Sequence, residues 1–227
     1  MSVTLTFHGH SALSLNVNGV KLLVDPFFSG NPLAKTKAAA LNPDYILLTH
    51  GHGDHVGDTI AIAKRSGATV IANFEIVSWV ENQGHHRTHG QHIGGGWNHP
   101  FGHVKFTPAL HGSMLPDGSD GGMPGGLLLT VDGKRIYISG DTALFSDMAL
   151  IGRAGLDLAV ICVGDNYTMG PDDSILALDY LKPRQVVPCH YNTWPVISID
   201  VAAWAARVAA ETTSQPLVLG VDESHTL

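Results

Sequence analysis

The sequence predicts an α/β fold whose two sheet-forming halves pack face to face, and three observations carry that prediction. Strand-like and helix-like runs alternate twice between residues 44 and 84 and again after residue 142. Both halves contain a turn, a strand and then an aspartate: NGVKLLVDP at 18–26 and DGKRIYISGD at 132–141. Both also contain a strand that delivers a histidine, DYILLTH at 44–50 and RQVVPCH at 184–190. The expected organisation is one domain over 1–227, with halves of roughly 1–125 and 126–227.

Each element follows from its pattern. VTLTF and SALSLNV alternate apolar and polar residues, Asn18-Gly19 makes a hairpin turn, and VKLLVDP returns until Pro26 stops it. The run 27–43 reads as a loop with a short helical piece, and DYILLTH as a buried strand. VGDTIAIAKRSG reads as a helix closed by Gly67, ATVIAN as a strand, and FEIVSWVENQG as a helix starting near Asn73. Residues 84–102 have no period and read as loop with short strands. HVKFTPALH is a strand entering His111, and GSMLPDGSDGGMPGG is a long glycine-rich loop of the kind that covers sites. LLLTVDGKRIYISGD is a hairpin turning at Asp132-Gly133. Then follow a helix (TALFSDMALIGRAG), a strand (LDLAVICVG), a helix (DDSILALDYLKP), the strand RQVVPCH, an amphipathic helix (SIDVAAWAARVAAET) and a last short strand, QPLVLG.

Composition excludes several functions. Hydrophobic residues make up 44%, enough for a substantial core, and charged residues only 15%. A formal charge of −7 argues against a phosphate-backbone binder, so no nucleic-acid partner is expected. The start, MSVTLTFHGH, has no basic region followed by an apolar run, and no stretch approaches the ~20 apolar residues of a membrane span. A cytoplasmic protein with no membrane partner is the expectation. Cys162 and Cys189 lie in apolar strand-like runs and read as buried thiols in a reducing compartment. The 14 histidines are the compositional anomaly, and histidine both titrates near neutrality and ligates metals.

The densest chemistry is THGHGDH at 49–55. His50 sits at a strand end; His52, Asp54 and His55 fall in the turn and the first positions of the next helix, with Gly51 and Gly53 relieving the backbone. Imidazole nitrogen and carboxylate oxygen suit Zn²⁺ first, and Mn²⁺, Fe²⁺ or Ni²⁺ accept the same set. Three more strand ends supply His111, Asp141 and His190, where α/β folds place function. Five histidines and two aspartates suffice for two divalent ions when one aspartate bridges.

These motifs resemble the metallo-β-lactamase superfamily. THGHGDH matches its HxHxDH signature, and ALHGS, SGDT and PCHYNTWP match its later motifs in order. IGGG, DNYTMGP and HYNTWP further resemble the UPF0173 branch of metal-dependent hydrolases. The resemblance covers essentially the whole chain. It implies a four-layer αββα sandwich with metals at one edge between the sheets. It implies His50, His52 and His111 as ligands of one metal, Asp54, His55 and His190 as ligands of the other, and Asp141 as the bridge. Asp54, His55 and Asp141 are then the catalytic residues. One departure is Gly112-Ser113, where the branch usually reads Ser-Ser.

Around this set lie supporting candidates. Asp25 ends a strand and could orient a ligand histidine. His10, in Gly9-His10-Ser11, is expected beside the site on the face of an extended opening strand, and not as a ligand. Met169, Asn192, Thr193 and Trp194 follow strand ends, with Asn192 and Thr193 as donors to substrate and Trp194 as a pocket wall. The histidines of segment 85–103 lack ligand spacing and read as a solvated loop or a subunit contact. The expected activity is a binuclear metal-dependent hydrolase that activates a bridging water toward a small-molecule ester, lactone, amide or phosphodiester. The alternatives are a nuclease or nucleotide phosphodiesterase, a diiron redox domain, and a non-catalytic metal-binding protein. The resemblance to the branch is compatible with a homo-oligomer, although no interface stripe is visible.

Overall fold

The computed structural model describes residues 2–227. Its strands run β1 Val3–Phe7, β2 Leu13–Val17, β3 Val20–Val24, β4 Tyr45–Leu47, β5 Thr69–Asn73, β6 Thr88–Gln91, β7 Gly96–His99, β8 Gly102–Pro108, β9 Gly125–Val131, β10 Lys134–Ile138, β11 Leu158–Cys162, β12 Gln185–Cys189, β13 Gln215–Pro216 and β14 Glu223–Thr226. They form two seven-stranded sheets, ordered β14-β1-β2-β3-β4-β5-β6 and β13-β12-β11-β10-β9-β8-β7. Alternation explains the pairing of their inner faces. Val3, Leu5 and Phe7 of β1 are buried, and so are Leu127, Leu129 and Val131 of β9; all six join one core cluster between the sheets. The intervening Thr4 and Thr6 bond outward to Thr226 and Ser224 of β14.

Helices pack on the outer face of each sheet, over β3, β4 and β5 in the first. They are α1 Gly53–Val56, α2 Thr59–Ser66, α3 Phe74–Asn82, α4 Met148–Gly152, α5 Pro171–Leu181 and α6 Val201–Glu211. Ile62 of α2 and Ile76 and Val80 of α3 pack with Leu23, Ile46 and Val70 of the first sheet. Met148, Leu178 and Trp204 of α4, α5 and α6 pack with Val160 and Val187 of the second. The result is the four-layer αββα sandwich. Asn73 caps α3 by accepting the Ile76 N–H at 2.9 Å, and Gly67 ends α2 at φ +71°. Among the described residues no helix is long and apolar enough to cross a membrane.

The halves do echo each other. Each sheet has a hairpin followed by parallel strands: β2-β3 then β4, β5 and β6, and β9-β10 then β11, β12 and β13. Both hairpins turn through two left-handed residues, Asn18-Gly19 and Asp132-Gly133, as a two-residue turn requires. The second echo pairs non-equivalent strands, however. DYILLTH is the first parallel strand after its hairpin, and RQVVPCH is the second. The sheets also do not divide near residue 125. β7 and β8 already belong to the second sheet, and β14 returns to the first.

Four elements differ from the sequence reading. The helix expected over 142–155 forms only as α4. Its leading residues are claimed by neighbouring loops, with the Ala143 N–H donating to the Leu110 carbonyl and the Thr142 carbonyl accepting from Met169. The helix expected over 56–67 breaks at Gly57 into α1 and α2. The strand expected over 215–220 shortens to β13, and β14, a polar run with no apolar alternation, had no signal.

Candidate metal centre

The site is assembled where the strands of both sheets end. β4 releases the chain at Leu47; His52 then occupies the cap position of α1, so that Asp54 and His55 follow within one turn. Gly51 is required here by close approach: a Cβ at this position would lie 2.5 Å from the Ser113 carbonyl oxygen. The other residues are stitched in from separate loops. The Leu110 N–H donates to Thr142 Oγ1 at 3.0 Å, which draws His111 toward Asp141. The His190 N–H donates to the His10 carbonyl at 2.8 Å, tying the end of β12 to the loop after β1.

Two groups of ligand-capable atoms result. One is His50, His52 and His111, whose ligand atoms lie within 4.8 Å of one another. The second is Asp54, His55 and His190, joined in the structure by His10. Asp141 stands between them. Its Oδ2 is 3.0 Å from His190 Nε2, 3.3 Å from His55 Nε2, 3.5 Å from His111 Nε2 and 3.9 Å from His50 Nε2. His50, His55 and Asp141 accordingly form a third overlapping group.

A hydrogen-bond frame behind these residues fixes which atoms face inward. Asp25, buried and held at φ +44°, accepts the Thr49 N–H at 2.8 Å on Oδ1. Its Oδ2 accepts the Thr49 hydroxyl at 2.6 Å and the His55 Nδ1–H at 2.8 Å. His55 Nε2 is thereby turned inward and has no hydrogen-bond partner of its own; Asp141 Oδ1 is likewise buried and unpartnered. The Thr49 hydroxyl, having donated to Asp25, is left to accept from His50 Nδ1 at 3.0 Å. That turns the lone pair of His50 Nε2 toward His52 Nδ1, 3.1 Å away. Orphaned polar atoms, facing imidazole nitrogens and a backing carboxylate fit a divalent cation.

Charge divides the two groups. Burial lowers the pKa of His50 well below the ordinary histidine value, and it lowers those of His52 and His111. These imidazoles are neutral at neutral pH and offer lone pairs. Burial also works against charge on His55 and His190, but the Asp141 carboxylate overrides it. His55 is raised well above its ordinary value, with Asp25 adding to the effect, and His190 is raised to about 9. Against its own burial, Asp141 is held far below the carboxylate range by His55 and His190. Asp54, against its burial too, is held low by bonds from His10 and His190. The raised pKa values of His55 and His190 favour positive charge in the second group, at the position where a cation would bind.

The supporting candidates separate. His10 is not on a strand face; β1 ends at Phe7, and His10 sits in a turn at φ +59°, fully buried. Its Nδ1 meets Thr193 Oγ1 at 2.7 Å and its Nε2 meets Asp54 Oδ2 at 3.1 Å. Both nitrogens are thus engaged. Thr193 is buried behind His10 instead of facing the cavity. Asn192 does not line the cavity either; its Oδ1 accepts the Ile199 N–H at 2.7 Å and closes its own loop. Met169 is in the core. Trp194 does line the cavity, with its ring 4.9 Å from His10 and 6.1 Å from Phe27. Cys189 faces the core, and burial raises Cys162 to about 11, so neither thiol is a nucleophile.

Three contributors escaped the sequence reading. Thr49 lay inside THGHGDH as an unremarked first letter. Phe27, behind Trp194, read only as loop. Tyr167 lay inside DNYTMGP and lines the cavity from a loop in which Asp165 and Asn166 are both left-handed. The glycine-rich loop 112–126 is pinned: Ser113 Oγ accepts the Gly51 N–H, and the Asn73 amide donates to the Gly121 and Met123 carbonyls.

The chain is similar to known proteins over its whole length. A family model described as the β-lactamase superfamily domain matches residues 21–191. A UPF0173 metal-dependent hydrolase from Bacillus cytotoxicus is 48% identical, over 98% of this chain and 99% of its own. A second, from Heliobacterium modesticaldum, is 47% identical over 98% and 97%. Among solved structures, Igni18, described as a novel metallo hydrolase from the archaeon Ignicoccus hospitalis, superposes with a TM-score of 0.92. It is 34% identical and covers 100% of this chain and 99% of its own.

Proposed function

The chain belongs to the UPF0173 metal-dependent hydrolases of the β-lactamase superfamily, and from that premise we propose that it is a binuclear hydrolase of small-molecule esters, lactones, amides or phosphodiesters. His50, His52 and His111 would hold one divalent ion and Asp54, His55 and His190 the other, with the Asp141 carboxylate shared. Zn²⁺ is the first candidate for both positions. Such ions would supply Lewis acidity, lowering the pKa of a water and polarising the scissile oxygen.

The chain's own residues do the rest. Asp25 holds the His55 ring by its Nδ1–H and, through Thr49, sets the His50 ring, so that one buried carboxylate orients a ligand in each group. His10 holds Asp54 Oδ2, backed by Thr193. Asp54 is the more exposed of the two carboxylates that line the cavity, and were only one ion bound it would instead orient the water or take its proton. The observation that carries the reading is the position of Asp141 Oδ2, within 4 Å of His50, His55, His111 and His190 at once. A structural zinc is closed by four protein ligands, whereas seven ligands for two ions leave positions for water and substrate.

The test is metal-dependent turnover. Protein stripped of metal and shown folded by circular dichroism should hydrolyse none of a panel of esters, lactones, amides and phosphodiesters. Reloading with Zn²⁺ should restore one class. Full turnover in the stripped protein would overturn the reading.

A further inference from the structure

Ligands fix the chemistry of the site, but the remaining wall of the cavity decides what enters it. The cavity has a volume of about 250 Å³ and is lined by His52, Asp54, His111, Asp141 and His190, together with Tyr167 and Trp194. Every lining residue outside the ligand set is therefore aromatic. No lysine or arginine is among them. Selectivity by the wall therefore rests on these two rings rather than on a fixed basic side chain.

Both aromatic rings stand on fixed supports. Trp194 follows Thr193, which is bonded to His10, and its ring packs against His10 and Phe27. Tyr167 is carried by the left-handed pair Asp165 (φ +63°) and Asn166 (φ +55°). Its loop is closed by the Asp165 N–H to the Met169 carbonyl at 3.1 Å and anchored by the Met169 N–H to the Thr142 carbonyl at 2.9 Å, one residue from Asp141. The Tyr167 side chain remains 57% exposed at the mouth, a large apolar surface on a rigid base.

An enclosed apolar cavity of about 150 Å³ accepts a benzene ring. This cavity, of about 250 Å³ and open to solvent beside Tyr167, has room for one ring next to a scissile group, with the rest of a substrate free to extend outward. Its lining offers no basic track for a nucleic-acid strand.

We propose, on the basis of the hydrolase reading above, that the site selects substrates bearing one flat apolar group, as in an aryl ester, packed against Trp194 and Tyr167. In such a reaction the water oxygen bonds to the acyl carbon and the acyl–oxygen bond breaks. The water's proton passes to the departing oxygen. Nothing else is consumed.

The experiment uses zinc-loaded protein and two readouts. The first is binding without turnover, by calorimetry with benzohydroxamate and acetohydroxamate, which share a metal-binding head and differ in the ring. Benzohydroxamate should bind about tenfold tighter, the range expected for one well-packed aromatic contact. Trp194→Ala and the exposed-site Tyr167→Ala should each lower that ratio several-fold, and Trp194→Phe should keep most of it. The second readout is steady-state kinetics with p-nitrophenyl acetate, in which Trp194→Ala should raise KM more than it lowers kcat. Equal binding of the two hydroxamates, or a ratio unmoved by both alanine variants, would overturn the proposal. The two readings fail separately. Ring preference without turnover of any substrate would contradict the hydrolase, whereas turnover without ring preference would contradict only the selectivity.

Discussion

The turn at 49–55 and the segment at 85–103 are both dense in histidine, with three in the first and six in the second, yet their surroundings differ in kind. In the turn, His50 and His55 are buried, and each has one nitrogen held from behind by the Asp25–Thr49 pair. In the segment, β6 and β7 are the edge strands of the two sheets. His89 and His99 meet edge to face at 4.8 Å between ring centroids, His99 stacks on Phe101 at 5.3 Å, and His99 Nε2 is taken up by the Gln91 side chain. No carboxylate is bonded to these rings, and among the described residues no three of their nitrogens converge as in the centre. What marks the turn as a candidate metal site is a buried acid that orients two of its rings and turns their other nitrogens inward; the segment has the histidines without that support.

The contrast can be broken from its strong side first. His55→Ala should abolish most turnover, by about a thousandfold or more, since loss of a ligand exceeds the 10–100-fold typical of its outer partners. Circular dichroism should show the fold intact and metal analysis one ion fewer. Asp25→Asn comes next. It keeps the shape but removes the charge behind His55, and chelator competition should show metal affinity weakened by about 10–100-fold. His10→Ala should cost about tenfold in kcat, the scale of one hydrogen bond to a charged group, with His10→Gln restoring part of it through its side-chain N–H.

Acidity sharpens the comparison further. Loading the second group displaces a proton from His190, whose pKa is raised to about 9, chiefly by Asp141 working against burial. Metal affinity should therefore climb as pH rises toward 9, with proton release measurable by calorimetry in buffers of different ionisation enthalpy. In the metal-free protein the same raised pKa has the opposite consequence for stability. Its contribution is complete below pH 6.5 and is lost as pH rises through about 9. The segment predicts the smallest effect. Burial and the neighbouring His89 and His103 depress His99 to about 4. The unfolded chain thus binds its proton first, and stability falls as pH drops from 6.5 toward 4. His99→Ala should flatten that acid loss in a thermal melt and leave metal content and turnover unchanged.

How far the sequence reading reached depends on how local each feature is. THGHGDH is short, so its convergence follows from one strand end and one helix start. His111, Asp141 and His190 are brought together across the sheets, and they could be proposed because each closes an apolar run. The structure carries them to one point through contacts no pattern displays, such as the Leu110 N–H on Thr142 and the His190 N–H on the His10 carbonyl. The same contacts explain the overextended helix at 142–155, whose first residues are engaged elsewhere. Asn192 and Thr193 were assigned to substrate because they follow a strand end. One closes its own loop and the other backs His10, because left-handed backbone at His190 and Asn192 turns the chain there. β14 was invisible for the plainest reason: its pairing with β1 is made by Thr226 and Ser224 on an exposed face, where no apolar alternation is needed.

The direct measurement is a crystal structure of the zinc-loaded protein with anomalous data on both sides of the zinc edge. The account predicts two peaks on opposite sides of the Asp141 carboxylate, one among His50, His52 and His111 and the other among Asp54, His55 and His190, with none at 85–103. A single peak closed by four protein ligands, or metal bound at the edge-strand histidines in place of the strand-end cleft, would contradict it.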